Sequence, residues 1–218
     1  MTSPDTIQRF IADMLAQAGG LIVDYDGTFA DTGPARQTAL TRALALHGSQ
    51  LDPAWYRART GLSIGDLLGE LPDASHLDHD AIIAASRSQL LGCLDRIEPV
   101  PSVLHLVRLA VEHGIPCAIA SGTSGALVHP GLDALGHTGL FAAVLVREDV
   151  AQGKPAPDLF LAAADRIGVP AARCLAVDDA PQGIEAAQRA GMAVLTLDSG
   201  LLARVPDDAA RVVEGCDS

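Results

Sequence analysis

Two carboxylates stand one residue apart at the end of an apolar run in the segment LIVDYDGTFADTG, residues 21–33. In an extended chain, Asp24 and Asp26 point to the same side of the backbone and Tyr25 points to the other. Two such charges a few ångströms apart repel each other by about 4 kcal/mol at an effective dielectric constant of roughly 20. A strand that holds them side by side therefore predicts a site that binds a cation or moves protons. Asp31 is expected to order the turn that follows.

Polar residues that could join this site occur at three later points of the chain. The segments are SGTSG at 121–125, GKPAPDLF at 153–160 with Lys154, and DDAPQG at 178–183. Each has a plain structural explanation when taken alone, since Asp begins helices and a lysine in a loop is usually solvated. Because ligands of open α/β sheets bind beyond the carboxyl ends of the strands, their joint occurrence predicts one shared pocket. An all-oxygen cluster of this kind suits Mg²⁺, which leaves room for water and a phosphate.

Short apolar segments that alternate with helical patterns must position these residues. The segments predicted as strands are 21–24, 115–121, 142–146, 174–178 and 193–197. The segments with helical spacing are about 101–113, 125–135, 157–167 and 181–190. Because strands that are apolar on both sides need cover on both sides, this alternation predicts an α/β fold with a parallel sheet between helices. An amphipathic helix over residues 4–18 precedes the first strand.

The interval 34–97 does not follow this alternation, because its segments have helical spacing and none has the pattern of a strand. The segment EPVP at 98–101 then returns the chain to the sheet, since proline fixes its own backbone and restricts the residue before it. We therefore expect two domains, a catalytic core formed by 1–33 and 98–218 and a small helical cap formed by 34–97. The junctions between them predict a hinge about which the cap opens and closes.

The composition limits the classes of protein and of partner. Of the 218 residues, 49% are hydrophobic and 19% are charged, which predicts a globular protein with a substantial core. The formal net charge of −12 argues against binding to nucleic acid or to an anionic membrane, because polyanions are repelled. A small anionic substrate is compatible with this charge if a metal or a basic cluster reverses its sign locally.

Cysteine usage and the lack of long apolar runs predict a cytoplasmic location. No apolar run approaches the length of a membrane span, and the first residues lack the pattern of a signal peptide. The widely spaced cysteines form no CxxC pair and are expected to be reduced, mostly buried thiols. They are Cys93, Cys117, Cys174 and Cys216. The oligomeric state stays open.

Four parts of the chain together resemble the motifs of the haloacid dehalogenase superfamily: DYDGTFAD, ASGTS, Lys154 and VDDAPQGIEAAQRAGM. The resemblance extends over about residues 20–198 and includes the position of the helical insertion. In this respect the chain is similar to the branch that contains β-phosphoglucomutases, phosphoglycolate phosphatases and sugar-phosphate phosphatases. The resemblance implies a Rossmann-like core and Mg²⁺-dependent transfer of a phosphoryl group.

The resemblance also implies a role for each residue of the motifs. Asp24 would attack phosphorus to form an aspartyl-phosphate, and Asp26 would protonate the leaving oxygen and then activate water. Ser121 and Lys154 would hold and neutralise the phosphoryl oxygens. The groups implied to hold Mg²⁺ are the Asp24 carboxylate, the backbone carbonyl of Asp26, Asp179, and Asp178 as a direct or nearby partner.

Four further residues are assigned to the substrate in this interpretation: Thr28, Gly122, Arg36 and Arg59. The two arginines lie in the predicted cap, where they would meet a distal anionic group of the substrate. The expected partner is a small phosphorylated metabolite, such as a sugar phosphate or a phosphoglycolate-like compound. Nothing in 34–97 identifies which one.

Differences between the motifs of this chain and those of related enzymes limit the reactions that it is expected to catalyse. Dehalogenases lack the second aspartate and phosphonatases use a cap lysine, whereas this chain has Asp26 and no lysine in 34–97. Mutases usually carry a histidine where this chain has Arg36, and a cap-loop arginine where it has Ile64. Both differences favour water as the acceptor, so we predict a Mg²⁺-dependent phosphatase that acts through an aspartyl-phosphate. A β-phosphoglucomutase-like isomerase stays open as the alternative.

Overall fold

The structure, a computed structural model of the chain, describes residues 13–59, 64–72, 77–198 and 200–205. Its strands are β1 (Gly20–Val23), β2 (Ala30–Asp31), β3 (Glu98–Pro99), β4 (Cys117–Ala120), β5 (Ala143–Leu145), β6 (Cys174–Val177), β7 (Ala193–Asp198) and β8 (Leu201–Arg204). Six of them form a central sheet with the order β5-β4-β1-β6-β7-β8. Neighbours in this sheet are parallel except β7 and β8, which are antiparallel.

The strand β1 lies inside the sheet, and its side chains alternate between two apolar clusters. Leu21 and Val23 pack into the cluster on one face, and Ile22 packs into the cluster on the other. Leu21 is paired with Cys117 of β4 and with Leu175 of β6. Because both faces are covered, β1 is a continuous apolar run, as parallel sheets require. Because β1 is parallel to both β4 and β6, the carboxyl ends of these three strands meet at one edge of the sheet.

Beyond the helical residues 13–17, the described parts of the chain form eight α-helices, several of which begin with a polar side chain or proline. They are α1 (Gly33–Leu46), α2 (Pro53–Arg57), α3 (Ile64–Glu70), α4 (His79–Leu91), α5 (Pro101–Glu112), α6 (Gly125–Leu135), α7 (Asp158–Arg166) and α8 (Pro181–Arg189). Asp52 accepts backbone hydrogen bonds at the start of α2, and Asp78 does so at the start of α4. Such caps satisfy N–H groups that have no partner within the helix.

The helices α1 to α4 fill the insertion between β2 and β3, and α1 packs against α4. They share an apolar cluster of their own, whose buried members include Leu40, Leu44, Tyr56, Leu68 and Ile82. In the described parts of 34–97 there is no strand, so the predicted helical character of this interval is confirmed. Its status as a separate cap domain stays a prediction.

A two-stranded antiparallel ribbon joins the segments that enter and leave this insertion. Ala30 of β2 pairs with Pro99 of β3, and Asp31 pairs with Glu98. The sequence pattern does not predict this ribbon, because two-residue strands are too short to show a period. It also does not predict β8, in which Leu202 alone is buried. Both elements are set by pairing across the fold.

The remaining predictions about the core agree with the structure. All five predicted strands and all four predicted core helices are present, and the α/β, Rossmann-like fold class is confirmed. Of the predicted N-terminal helix, residues 13–17 are helical and residues 1–12 lie outside the described residues. Three cysteines are free and buried as predicted, while Cys216 lies outside the described residues. Where the chain is described, none of its helices combines the length and the apolar character that a bilayer span demands.

Candidate active site

Asp24 is the first residue after β1, and backbone hydrogen bonds hold it in line with the sheet. Its N–H donates to the carbonyl of Val177 at 2.9 Å, and its carbonyl accepts from the N–H of Phe29 at 3.1 Å. Gly27 then turns the chain with a φ of 78°, in the left-handed region that glycine adopts without strain. The buried Asp24 carboxylate is therefore fixed between a sheet edge and a tight turn.

Tyr25 points away from the two carboxylates that flank it. Its ring is buried in the apolar cluster of β1, whereas Asp24 and Asp26 both line a cavity on the other side. A methyl group on Gly131 of α6 would clash with the Tyr25 hydroxyl, so a glycine is needed at this point of the helix. Among the described residues, that buried hydroxyl has no hydrogen-bond partner. The segment after β1 thus directs its two carboxylates to the cavity and the Tyr25 ring to the apolar core.

Lys154 lies between the carboxylates that follow two neighbouring strands. Its Nζ donates to Asp24 Oδ1 at 2.5 Å and to Asp178 Oδ2 at 2.7 Å. The ammonium also lies 5.2 Å from the centre of the Phe160 ring. Lys154 is the only lysine in the chain. The structure therefore brings together three residues, far apart in sequence, that the pattern places in one pocket.

Asp178 follows β6 and is held by the start of α8. Its Oδ1 accepts from the N–H of Ala180 at 3.0 Å, and its side chain is almost completely buried. Gly183 of α8 lies so close to this carboxylate that a methyl group there would clash with it. Asp178 can therefore keep this position only because residue 183 has no side chain.

Asp179 is positioned by Thr28 from the turn after β1. The Thr28 hydroxyl donates to Asp179 Oδ1 at 2.7 Å and accepts from the Asp179 N–H at 3.1 Å. A Cβ atom on Gly27 would lie 2.6 Å from Asp179 Oδ2, so residue 27 must also lack a side chain. Thr28 is 0% exposed and does not line the cavity. Its assignment to the substrate stays a prediction, and its contacts are with Asp179.

The three carboxylates form a set of oxygen donors that fits Mg²⁺. Asp24, Asp178 and Asp179 each offer one carboxylate oxygen, and these oxygens lie within 4.8 Å of one another. Such hard ligands are the ones that Mg²⁺ prefers, with water and phosphate oxygens completing its coordination. Lys154 supplies one positive charge against the buried carboxylates of Asp24 and Asp178 and the exposed one of Asp179, and an uncompensated buried charge is costly. The cluster therefore favours a divalent cation. The part assigned to the Asp26 carbonyl stays a prediction.

The pKa values in this cluster follow from burial and charge. Burial raises the pKa of Asp24 to about 8 against the opposing effect of Lys154, and the carboxylates of Asp178 and Asp26 add to the rise. Burial also raises the pKa of Asp179. Burial lowers the pKa of Lys154, but Asp24 and Asp178 outweigh it and raise the pKa above its ordinary value. The ammonium stays charged, and a further cation would favour the ionised form of Asp24.

Asp26 has a different set of partners from Asp24. Arg36 Nη1 lies 2.9 Å from Asp26 Oδ1, and the Thr32 hydroxyl donates to the same oxygen at 2.7 Å. Burial raises the pKa of Asp26, but Arg36 and hydroxyl hydrogen bonds outweigh burial and hold the pKa below its usual value. Among the described residues, Asp26 Oδ2 is buried without a hydrogen-bond partner. Asp26 therefore has one oxygen held by Arg36 and Thr32 and one buried oxygen without such an anchor.

The loop after β4 carries Ser121, Gly122 and Thr123 to the same edge of the sheet. Ser121 is buried, and its hydroxyl oxygen accepts from the N–H of Thr123 at 3.0 Å. Gly122 and Thr123 line the cavity, whereas Ser121 does not. A Cβ atom on Gly122 would meet nothing within 4 Å, so space does not require glycine there. The proposed contacts of Ser121 and Gly122 with the reacting group stay predictions.

A cavity of about 330 Å³ lies over these residues, and the helices α1 to α3 contribute to its wall. The side chains from these helices and the turn beside them that line it are Arg36, Tyr56, Arg59, Asp66 and Leu67. The two predicted substrate arginines are thus at the cavity, but each is paired with a carboxylate. Arg59 Nε donates to Glu70 at 2.9 Å and its guanidinium lies 4.3 Å over the Trp55 ring. That they bind substrate stays a prediction.

Several residues of this site have no role assigned from the sequence, among them Thr32, Gly183 and Arg147. Thr32 contacts Asp26, Gly183 makes room for Asp178, and Arg147 lines the cavity just after β5. The position of Arg147 near a strand end is a usable signal, since ligands bind at such ends. The sequence has no signal for Thr32 and Gly183, because their contacts with Asp26 and Asp178 do not follow from the spacing of residues.

The chain resembles proteins of one family over most of its length. The family model described as haloacid dehalogenase-like hydrolase matches residues 19–191. The fructose-1-phosphate phosphatase YqaB of Escherichia coli (strain K12) is 37% identical in an alignment of 188 residues that covers 82% of this chain and 96% of the relative.

Solved structures give the same result. CbbY from Rhodobacter sphaeroides in complex with phosphate has a TM-score of 0.73 at 26% identity, and the match covers 82% of this chain and 85% of that one. A variant of the same protein in complex with xylulose-(1,5)bisphosphate has a TM-score of 0.72 at 25% identity, with the same coverage of both chains. The fold and the order of its elements are thus shared with these proteins.

Proposed function

The chain belongs to the haloacid dehalogenase-like hydrolase family, and from this premise we propose that it is a Mg²⁺-dependent phosphatase of a small sugar phosphate. Membership, together with relatives named as phosphatases, makes the protein a phosphoric monoester hydrolase. The observation that supports the finer proposal most strongly is the contact of Lys154 with both Asp24 and Asp178. It joins a buried nucleophile candidate, a cation and a metal-ligand candidate at one sheet edge.

In the first half of the proposed reaction, an Asp24 oxygen forms a bond to phosphorus and the bond from phosphorus to the substrate oxygen breaks. Lys154 holds the carboxylate through Oδ1 and neutralises charge on the phosphoryl group. Asp26 gives a proton to the leaving oxygen. The products are the free alcohol and an aspartyl-phosphate on Asp24.

In the second half, Asp26 takes a proton from water, the water oxygen attacks phosphorus, and the Asp24 carboxylate leaves. Oδ2 of Asp26 is without a hydrogen-bond partner among the described residues while Oδ1 is held by Arg36 and Thr32, which supports this role. The pKa of Asp26 lies below its usual value, so the carboxylate form needed for this step is favoured. A phosphoryl anion beside Asp26 raises its pKa, which favours the acid form needed for the first step.

The carboxylates of Asp24, Asp178 and Asp179 would hold Mg²⁺. The metal, when bound, supplies charge that neutralises the phosphoryl oxygens and helps to orient them. Thr28 and Gly183 keep Asp179 and Asp178 in position for this purpose. Their contribution is geometric, since both act on the placement of a carboxylate.

The relatives favour a ketose phosphate as the substrate class. The Escherichia coli relative is named for fructose 1-phosphate, and one CbbY structure holds xylulose-(1,5)bisphosphate. A cavity of about 330 Å³ is within the usual size of sites for small molecules. Free, buried cysteines and an acidic composition fit an enzyme of the cytoplasm.

Phosphate release from a panel of phosphomonoesters tests this proposal. The purified protein is incubated with Mg²⁺ and with fructose 1-phosphate, 2-phosphoglycolate or β-glucose 1-phosphate. We expect release to be fastest from fructose 1-phosphate and to stop when EDTA removes the metal. No release from any phosphomonoester would contradict the proposal. Glucose 6-phosphate formed from β-glucose 1-phosphate without phosphate release would favour the isomerase instead.

A further inference from the structure

Four cationic side chains line the cavity among the described residues, and three of them are paired with carboxylates. Lys154 contacts Asp24 and Asp178, Arg36 contacts Asp26, and Arg59 contacts Glu70. The fourth is Arg147. Its partners among the described residues are backbone carbonyls, so no carboxylate neutralises its charge.

The loop that Arg147 precedes holds its guanidinium in place. Nη1 donates to the carbonyl of Val150 at 2.9 Å, and Nη2 donates to the carbonyl of Ala151 at 3.4 Å. The side chain also passes close to Gly153, where a Cβ atom would lie 3.2 Å from Arg147 Nε. These contacts order the guanidinium beside the loop of Lys154 without neutralising it, although the side chain is exposed to solvent.

The two acidic residues that follow Arg147 are turned to other partners. Glu148 Oε2 accepts from the N–H of Gly125 at 3.1 Å, at the start of α6. Asp149 Oδ2 accepts from the N–H of Val146 at 2.8 Å. The sequence Arg-Glu-Asp suggests local neutralisation of charge, but the structure directs both carboxylates to backbone N–H groups. The positive charge of Arg147 is therefore available to a ligand.

We propose that Arg147 is a specificity-determining residue that binds a second phosphate group of the substrate, remote from the phosphate that is cleaved. This inference rests on the proposed phosphatase function and narrows its substrate class to sugar bisphosphates. A guanidinium presents paired N–H donors that match phosphate oxygens. Two N–H groups of Arg147 donate to backbone carbonyls, and its other N–H groups are left for the phosphate. The distal phosphate binds on the core side of the cavity, since the cation there is unpaired while Arg36 and Arg59 are paired with acids.

A matched pair of substrates tests the inference, because fructose 1,6-bisphosphate differs from fructose 1-phosphate by the distal phosphate alone. We expect the wild-type protein to prefer the bisphosphate in kcat/KM. In Arg147→Gln this preference should fall by about tenfold or more, the usual effect of losing a charged hydrogen bond. The value for fructose 1-phosphate should change by less than about threefold, since the lost contact is made to the distal group. Arg108→Gln, at an exposed arginine of α5 outside the cavity, is the control and should leave the preference unchanged.

A purely structural role of Arg147 predicts a different result. If the side chain only supports the loop of Lys154, Arg147→Gln lowers kcat/KM for both substrates equally, and that outcome overturns the inference. An unchanged preference overturns it as well and leaves the phosphatase function standing.

Binding decides the inference even if no phosphomonoester is hydrolysed, an outcome that would refute the proposed function. Calorimetric titration of the Asp24→Asn protein with each sugar phosphate, in Mg²⁺, should show tighter binding of the bisphosphate. Adding Arg147→Gln should remove that advantage. Equal binding of both sugars by the Asp24→Asn protein, or no binding of the bisphosphate, overturns the inference.

Discussion

On the core side of the cavity, Asp24 and Asp178 directly follow strands whose residues are all buried, and both carboxylates are buried themselves. On the side of the insertion, Arg36 and Arg59 extend from helices or the turn beside them, and each reaches its acidic partner through a long side chain. The Arg59 side chain is 32% exposed and that of Glu70 is 54% exposed. The core side is therefore fixed by backbone, and the other side is adjusted by side-chain conformation.

This difference shows how the two sides divide the work. A short carboxylate on a sheet edge has few conformations to lose, so its position survives the binding and release of a substrate. The Arg59–Glu70 ion pair is partly exposed and worth little, so Arg59 can exchange its partner at small cost, whereas Arg36 holds Asp26 and lowers its pKa. We therefore expect changes on the core side and at Arg36 to affect the chemical step, and changes at Arg59 to affect binding and stability slightly.

The largest expected effect is that of Asp24→Asn. Turnover should fall by at least about 10⁴-fold, because the amide is a very poor nucleophile. The metal-free variant should melt at or above the wild-type temperature, since burial raises the pKa of Asp24 to about 8 and so disfavours its charge in the fold. Phosphate release and thermal melting measure the two quantities. Activity within about tenfold of wild type would remove Asp24 from the role of nucleophile.

Two glycine substitutions compare the sides directly. Gly183→Ala adds a methyl group against the Asp178 carboxylate, so we expect about a 10²-fold loss of kcat/KM and about 1–3 kcal/mol of stability. Gly69→Ala, in α3, adds a methyl group that meets nothing within 4 Å. It should stabilise the protein by about 0.5–1 kcal/mol and leave turnover unchanged. Equal changes of kcat/KM and of stability in the two variants would show that the two sides of the cavity do not differ in this way.

Mg²⁺ should stabilise the protein through the core side. At about 100 times its dissociation constant, a ligand that binds the folded state alone adds about 2.7 kcal/mol, which corresponds to a rise in Tm of roughly 5–10 °C. Differential scanning fluorimetry with and without Mg²⁺ measures this rise. Asp179→Asn should lose most of it, whereas Arg59→Ala should keep it. A rise that is the same in all three proteins would place the metal elsewhere.

The smallest expected effect is that of Arg59→Ala. It removes the ion pair with Glu70 and the stacking on Trp55, both partly exposed, and should cost less than about 1 kcal/mol. We expect kcat to stay within about twofold of wild type, because no reacting atom lies on Arg59 in the proposed mechanism. Glu70→Gln, which removes the ion pair alone, is the matched control. A loss of kcat as large as that of Gly183→Ala would show that the helical side carries chemistry.

The sequence predicts the core well because strong periodic and positional signals coincide there. Apolar runs locate the strands, and the rule that ligands bind at strand ends is enough to predict that Asp24, Lys154 and Asp178 share a pocket. Contacts between distant side chains are less accessible. Thr28 and Asp179 are 151 residues apart, and no spacing reveals that the hydroxyl serves the carboxylate. The pairing of Arg36 with Asp26 is likewise a matter of side-chain direction.

Lys154 gives the chain an unusual chemical property, because its ε-amino group is the one such group in all 218 residues. Reagents that modify lysine selectively can therefore report on a single position. Since the ammonium lies between Asp24 and Asp178, its protonated state should slow such reagents strongly. A label on a lysine side chain, distinguished by peptide mapping from one on the N-terminal amine, can lie only on Lys154, so its rate of attachment should report whether the proposed phosphoryl site is occupied.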